Sequence, residues 1–437
     1  VFCLALASAL LICSARAGAQ TPAPTPTPTP DPCNAEPGKS LGAKGIAKCL
    51  QSGYNFLTKH DLHLVHGSVV PGAGLTGGIG YSHHKDKENG VVEFNTSARM
   101  SIRKYWELDS NLKVTRGSTD TSGTTAEMKF NFYGLVKDMP RLDFFGIGPE
   151  TRRQDRAVYH YREGVVGMDV SKPVLGWLNL GGAFEGVFPD IVRIKNPTAN
   201  SVERAYTEAT APGITAQPAY LHYVAFASLH TPGEIEHRYV DYRLFYHFYQ
   251  DLQEHRYSFR RFDADLRNKF TIGGTTTKTK TKTDKNGDTT QEVTSYSKNE
   301  LRVRLRLSLS ETSAGQRVPF YLMPTLGGSN ISGEDTLRGF RDFRFRDRDL
   351  FLAQFEYLRE IKGPVDFIAF YDTGKVASSV SHFWDGRLRH TYGLGFVFVP
   401  RQRDNILFRF YVALGSGEGS HTYFGGGLPG RADRLIR

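Results

Sequence analysis

Few side chains in this sequence have the spacing that site chemistry demands. Asp284, Asn286 and Asp288 follow the opening positions of a calcium loop, but Thr289 stands where that loop's glycine belongs and no Glu closes it. A solvated turn is expected there. Cys33 and Cys49 have too few further ligands nearby for a metal site, since His60 and His63 alone make a weak set. The two cysteines read instead as a short-range disulfide of an exported chain. A hydrolase would need a nucleophile, a base and an orienting acid at one level of the structure. His222, His230, His237, His247 and His255 are scattered over strands and connections, and no Gly-x-Ser-x-Gly motif is present. The expectation is no enzyme, no catalytic residue, no metal and no cofactor.

The charged residues that do recur in a pattern are arginines. Arg302, Arg304 and Arg306 alternate with Leu301, Val303, Leu305 and Leu307, and Arg409 sits likewise between Phe408 and Phe410. A strand rises about 3.3 Å per residue, so about 9–11 residues cross a bilayer at a tilt, which is the length of 301–310. Its Leu/Val face would meet lipid and its arginines would line a lumen. A half-buried sheet in a soluble sandwich gives the same alternation, so one strand decides nothing. The pattern recurs, however, in Val240, Tyr242, Leu244, Tyr246 and Phe248 and again along Ile406 to Leu414.

Strands are expected near 62–70, 74–84, 91–102, 106–115, 127–138, 157–170, 178–188, 219–231, 238–250, 257–272, 300–311, 350–361, 365–376, 389–400, 405–415 and 420–428. The fold class is therefore all-β, a transmembrane antiparallel barrel of about sixteen strands, an even number as closure requires. With both ends in the periplasm, the long connections 139–156, 189–218 and 312–349 all fall outside. The Thr/Lys-rich insert at 273–299 breaks this rule. Either a strand is misplaced there or the insert is a hairpin around Asn286-Gly287.

Composition agrees with a barrel. Among 437 residues, 45 are glycine and 12% are aromatic, while the mature part contains no apolar run long enough for a membrane helix. The net charge of +10 comes with arginines dispersed along strands, which argues against nucleic acid as a partner. Residues 1–19 carry an apolar stretch followed by Ala17-Gly18-Ala19 and read as a secretory signal peptide. Residues 20–61 hold a Thr-Pro repeat and a short segment in which Leu41, Ile46 and Leu50 suit a small helix. The barrel then occupies 62–428 and a tail 429–437. This organisation implies a monomer in the cell outer membrane, with lipid and lipopolysaccharide as partners.

The sharpest motif lies in the connection after the eleventh expected strand: Pro319-Phe320-Tyr321, Gly327-Gly328-Ser329 and Leu337-Arg338-Gly339-Phe340. With Asp143-Phe144-Phe145-Gly146-Ile147-Gly148 and Tyr392-Gly393-Leu394-Gly395-Phe396, these residues resemble the BamA/TamA outer-membrane assembly family, also called the bacterial surface antigen family. The resemblance covers 62–428 and is strongest from 317 to 428. It implies that the sixth outer loop folds into the lumen, where Arg338, Gly339 and Phe340 form its tip and the arginine meets acids on the next two strands. The matching acids are Glu356 and Asp372. Period-two alternation independently puts both on the lumen face, opposite Phe355, Tyr357, Ala369 and Tyr371.

The chain departs from the family's assembly factors in one respect. Residues 33–61 leave no room for a periplasmic POTRA domain, so the sequence resembles the short, barrel-only branch. The resemblance implies a protein assembly, insertion or translocation factor with unfolded outer-membrane proteins as clients. A short last strand rich in glycine, Gly425 to Gly427, would suit a weak seam. The alternative is a plugged channel or structural surface barrel without insertase activity, its arginines favouring anions.

Overall fold

Alternating segments become strands because every second residue can then face lipid while its neighbours face a polar interior. The computed structural model describes residues 61–426, apart from 88–89, 120–124, 194–200, 232–237, 284–288, 363–364 and 399–407. The expected signal peptide, the Thr-Pro segment, the expected short helix, Cys33 and Cys49 lie outside the described residues.

The barrel strands are β1 (Leu62–Gly67), β2 (Thr76–Lys87), β3 (Gly90–Ser101), β4 (Trp106–Thr119), β5 (Thr125–Phe144), β6 (Ala157–Leu175), β7 (Leu178–Val192) and β8 (Tyr220–His230). They continue as β9 (Arg238–Asp251), β10 (Phe259–Thr283) and β11 (Thr289–Glu311). A two-residue ribbon, β12 (Thr325–Leu326) with β13 (Phe345–Arg346), interrupts the series. The barrel resumes with β14 (Asp349–Lys362), β15 (Val365–Ala377), β16 (Arg389–Phe398), β17 (Phe408–Gly415) and β18 (Gly419–Gly426). Leaving out the ribbon, each strand pairs antiparallel with the next in one 16-stranded sheet. The sheet's edges are β1 and β18, and no ladder joins them among the described residues.

Contacts between distant strands show that the sheet curls round on itself. Arg389, at the start of β16, donates to the Pro149 carbonyl and to Glu150 between β5 and β6. Arg344 bridges that same connection, at Thr151, to Glu418 in the β17–β18 turn. Val69, Val70 and Ala73 after β1 share a buried cluster with Phe144, Tyr159 and Phe320 from β5, β6 and the β11–β14 connection. Such contacts need a rolled sheet with chain inside it.

The faces are inverted relative to a water-soluble domain. Leu305, Phe355, Tyr392, Leu394, Phe410, Val412 and Leu414 are exposed, whereas Glu107, Glu185, His222, Glu300, Asp372 and Thr391 are buried. An exposed apolar band around a polar interior is what a lipid-embedded barrel requires.

All sixteen expected strands are present, with shifted ends. β1 stops at Gly67 rather than at 70, because Val69 and Val70 turn into the buried cluster. β5 runs on to Phe144, across an irregularity between Met139 and Leu142. In the 273–299 insert, β10 and β11 stay paired out to Thr283 and Thr289, with a register break between Ile272 and Thr275. The insert is thus a long extension of one hairpin, as repeated β-branched threonine favours. Residues 284–288, including Asn286 and Gly287, lie outside the described residues.

The outward face sets a test. Leu305→Arg or Leu394→Arg should lower the urea midpoint for refolding into lipid vesicles, at a cost of about 2–4 kcal/mol near the bilayer centre. Gel migration of unheated samples reads out the folded fraction. Unchanged midpoints would mean that these side chains meet water.

Candidate functional site

The site is built by one connection, residues 312–348, running from β11 back to β14. Pro319-Phe320-Tyr321 begins it with a single 3-10 turn at Phe320–Leu322. The Phe320 ring lies 4.8 Å from Phe144 and 5.2 Å from Tyr159, so this turn is anchored on β5 and β6. The β12–β13 ribbon then forms the stem of the folded tip. Within the tip, Gly327 N–H donates to Thr336 Oγ1, Gly328 N–H to the Leu337 carbonyl, and Ser329 N–H to Asp342. Gly327-Gly328-Ser329 therefore closes the loop on itself and projects 334–340 toward the wall.

Arg338 enters a site already shaped to receive it. Its Nε and Nη2 donate to the two oxygens of Asp372 on β15, at 2.9 and 2.6 Å. Nη1 donates to Glu356 on β14 at 2.7 Å, and its backbone N–H also reaches Asp372. Arg338 is 5% exposed and Asp372 0%. The guanidinium carbon stands 3.5 Å from the centre of the Phe370 ring, so a cation–π face adds to the fork of charge-assisted bonds. Gln354 ties the acids to the loop, donating to the Thr336 carbonyl and to Asp372.

Two glycines make this approach possible. Gly339 lies against the backbone of β17, where a Cβ would stand 2.6 Å from Gly415 N, while its own N–H donates to Thr391 on β16. Gly393, paired with Phe370 across β15 and β16, leaves the space that the Phe370 ring fills; a Cβ there would collide with it. Phe340 seats the tip from above, in a buried cluster with Leu326, Leu337, Phe345, Leu350, Leu352 and Val376.

The lumen arginines hold the same loop from other sides. Glu334 accepts from Arg267 on β10 and from Arg304 and Arg306 on β11, at 2.8, 3.1 and 3.1 Å. Burial opposes ionisation of Glu334, yet these guanidiniums prevail and bring its carboxyl down to about 2. Asp335 accepts from Arg409 on β17 at 3.0 Å. Arg302 donates to Glu300 and stands 3.9 Å from Glu356. Arg302, Arg304, Arg306 and Arg409 all face inward, and each is engaged by a carboxylate.

The structure thus brings Arg338, Gly339, Phe340, Glu356 and Asp372 together at one place, with Arg302 at its edge. Arg304, Arg306 and Arg409 converge instead on the neighbouring acids of the same loop. Sequence reasoning missed Glu334, Asp335, Asp265, Arg267, Phe370 and Thr391. The available signal was electrostatic: a row of inward arginines needs acids, and Glu334-Asp335 is the acidic pair in the loop above it.

No protein-family model and no curated protein matches this sequence. Among solved structures, BamA from Haemophilus ducreyi lacking POTRA domains 1-3 aligns with a TM-score of 0.50 at 10% identity, covering 90% of this chain and 80% of that one. CdiB from Acinetobacter baumannii aligns with a TM-score of 0.46 at 12% identity, over 80% of this chain and 56% of that chain. The likeness to BamA is one of fold: the chain is an all-β barrel of that type.

Removing Arg338 leaves Asp372 buried without its cation, and deleting one partner of such a pair costs about 3–5 kcal/mol. Arg338→Ala should free the loop and speed its proteolysis, and Asp372→Asn should do so in part. The double variant Arg338→Ala with Asp372→Ala should cost less than Arg338→Ala and Asp372→Ala summed, because neither partner is then left without the other. Strict additivity of the unfolding free energies would rule out a direct pairing.

A second expectation concerns Asp342. Burial, with Asp335 and Asp143 adding, pushes its carboxyl up to about 6, against about 3.9 in an unfolded chain. Between those values the packed loop holds a proton that a released loop gives up, so its hold weakens as the pH rises through this window. Hydrogen exchange of residues 326–344, corrected for intrinsic rate, should be slower at pH 5 than at pH 7.5. Asp342→Asn should flatten the difference.

Proposed function

We propose that this chain is an outer-membrane barrel of the BamA/TamA kind that assists protein assembly or translocation without catalysing a reaction. The observation that carries the reading is the loop tip, in which Arg338 spans Glu356 and Asp372 inside a barrel of BamA-type fold. The sheet's edges are β1 and β18. A sheet edge that opens toward lipid offers unpaired backbone groups to an incoming strand.

In this reading residues 1–19 are the leader, 20–61 a spacer pinned by a disulfide between Cys33 and Cys49, 62–428 the barrel and 429–437 a tail. Arg338, Gly339, Phe340, Glu356 and Asp372 form the lock of the sixth loop. The partners are outer-membrane lipid, lipopolysaccharide and unfolded outer-membrane proteins, and the working unit is a monomer.

A second reading, a plugged structural barrel, is favoured by the number of ion pairs that tie the loop to the wall. Its channel form with free anion-selecting arginines is not favoured, because Arg302, Arg304, Arg306 and Arg409 all face carboxylates.

Depletion followed by a proteomic census of the outer membrane separates these readings. An assembly factor should take other barrels down with it, by severalfold, and Arg338→Ala should fail to restore them. An unchanged census would leave the structural barrel as the function.

A further inference from the structure

Histidines that look scattered in the sequence are joined by the fold. His222 on β8 and His247 on β9 both point inward, and His222 Nε2 stands 3.0 Å from His247 Nδ1. At the far side of each ring waits a carboxylate. Glu185 on β7 lies 2.6 Å from His222 Nδ1, and Asp263 on β10 lies 3.3 Å from His247 Nε2. Tyr133 on β5 donates to the other oxygen of Glu185 at 2.6 Å. The result is a continuous polar chain across the barrel wall, with His222 fully buried.

Counting hydrogens fixes its charge. Of its three contacts, Glu185 to His222 and His222 to His247 are hydrogen bonds that need one hydrogen each, and the third sets His247 Nε2 3.3 Å from an Asp263 oxygen, too close for two bare lone pairs. A neutral imidazole carries a single N–H, so two neutral rings supply hydrogens for only two of the three contacts. A third proton must sit in the cluster, on a ring or on a carboxyl.

Its surroundings place it on the rings. Glu185 accepts the Tyr133 hydroxyl, which favours the ionised carboxylate. Asp263 on β10 stands within ion-pair reach of His247 Nε2, so a proton on that ring faces a carboxylate directly. Asp169 on β6, which accepts from Asn131, is a further carboxyl near Glu185. Tyr249 on β9 stacks on the His222 ring with centroids 3.9 Å apart, offering an aromatic face to a cation.

We infer that His222 and His247 form a proton-binding site, sharing one proton beyond two neutral imidazoles as a hydrogen-bonded cation between Glu185 and Asp263. The site makes the β7–β10 wall responsive to pH. When the proton leaves, at least one contact sets lone pair against lone pair at a fully buried ring. The wall then loosens between these strands.

The test uses the full chain refolded in detergent micelles with ¹⁵N-labelled histidine. Ring ¹⁵N shifts, assigned by difference from His247→Gln, should show one imidazolium charge shared by the pair at pH 6. Both rings should report its loss in a single step as the pH rises toward 9. The thermal midpoint should fall over that step. His247→Gln should abolish the fall. Two neutral rings at pH 6 would overturn the inference, as would a His247→Gln protein that keeps the full pH dependence. If that variant does not refold, ¹⁵N shifts of the unaltered protein, its histidines assigned through bonds, decide the matter.

Discussion

A guanidinium sealed inside a barrel must be answered on every side, and the region from β10 to β17 is arranged around that requirement. Arg338 needs acceptors for its fork, which Asp372 and Glu356 supply from adjacent strands. It needs a flat face to lie on, which Phe370 supplies. Phe370 in turn needs room, which β16 gives by placing glycine at 393. The backbone beyond the arginine must then touch the wall, which works only because Gly339 meets Gly415. An unpaired charge in such a place costs several kcal/mol, so these residues stand or fall together.

The same logic runs in reverse on the outer surface. Lipid offers no hydrogen bonds, so charge cannot go outward and is driven inward on alternate residues. Inward charge must then be neutralised across the lumen, and the wall does this in two ways. From β10 to β17 the partners come from a folded-in loop, through Glu334, Asp335 and Arg338. From β5 to β10 the wall neutralises itself, strand to neighbouring strand, through Glu185, His222, His247 and Asp263.

What the sequence made legible follows from how local the signal is. Period-two alternation is local, so the strands and the inward facing of Glu356 and Asp372 could be read directly. The Thr/Lys insert allowed two readings, a misplaced strand or a hairpin, because low complexity looks like loop, whereas a β-branched residue at every second position extends a hairpin as readily. Glu334 and Asp335 were invisible as site residues because their partners lie on β10, β11 and β17, and only the loop's path brings them near. The imidazole pair was missed for a related reason. Which residue of β8 lies beside which residue of β9 depends on strand register, and a shift of one residue would have sent one ring into lipid.

Strand β10 is where the two arrangements meet. Its Asp263 faces His247, its Asp265 accepts from Arg304 and Arg267, and its Arg261 donates to the Leu322 carbonyl of the loop. With the loop in place, Glu334 and Asp265 set two carboxylates against the three guanidiniums of Arg267, Arg304 and Arg306. Take the loop away and three guanidiniums on two adjacent strands are left with one carboxylate, a few residues from the aspartate that faces the imidazole pair. Like charges so close repel. A barrel emptied of its loop would therefore be strained in its own wall, and the loop is better seen as part of that wall than as a stopper placed within it.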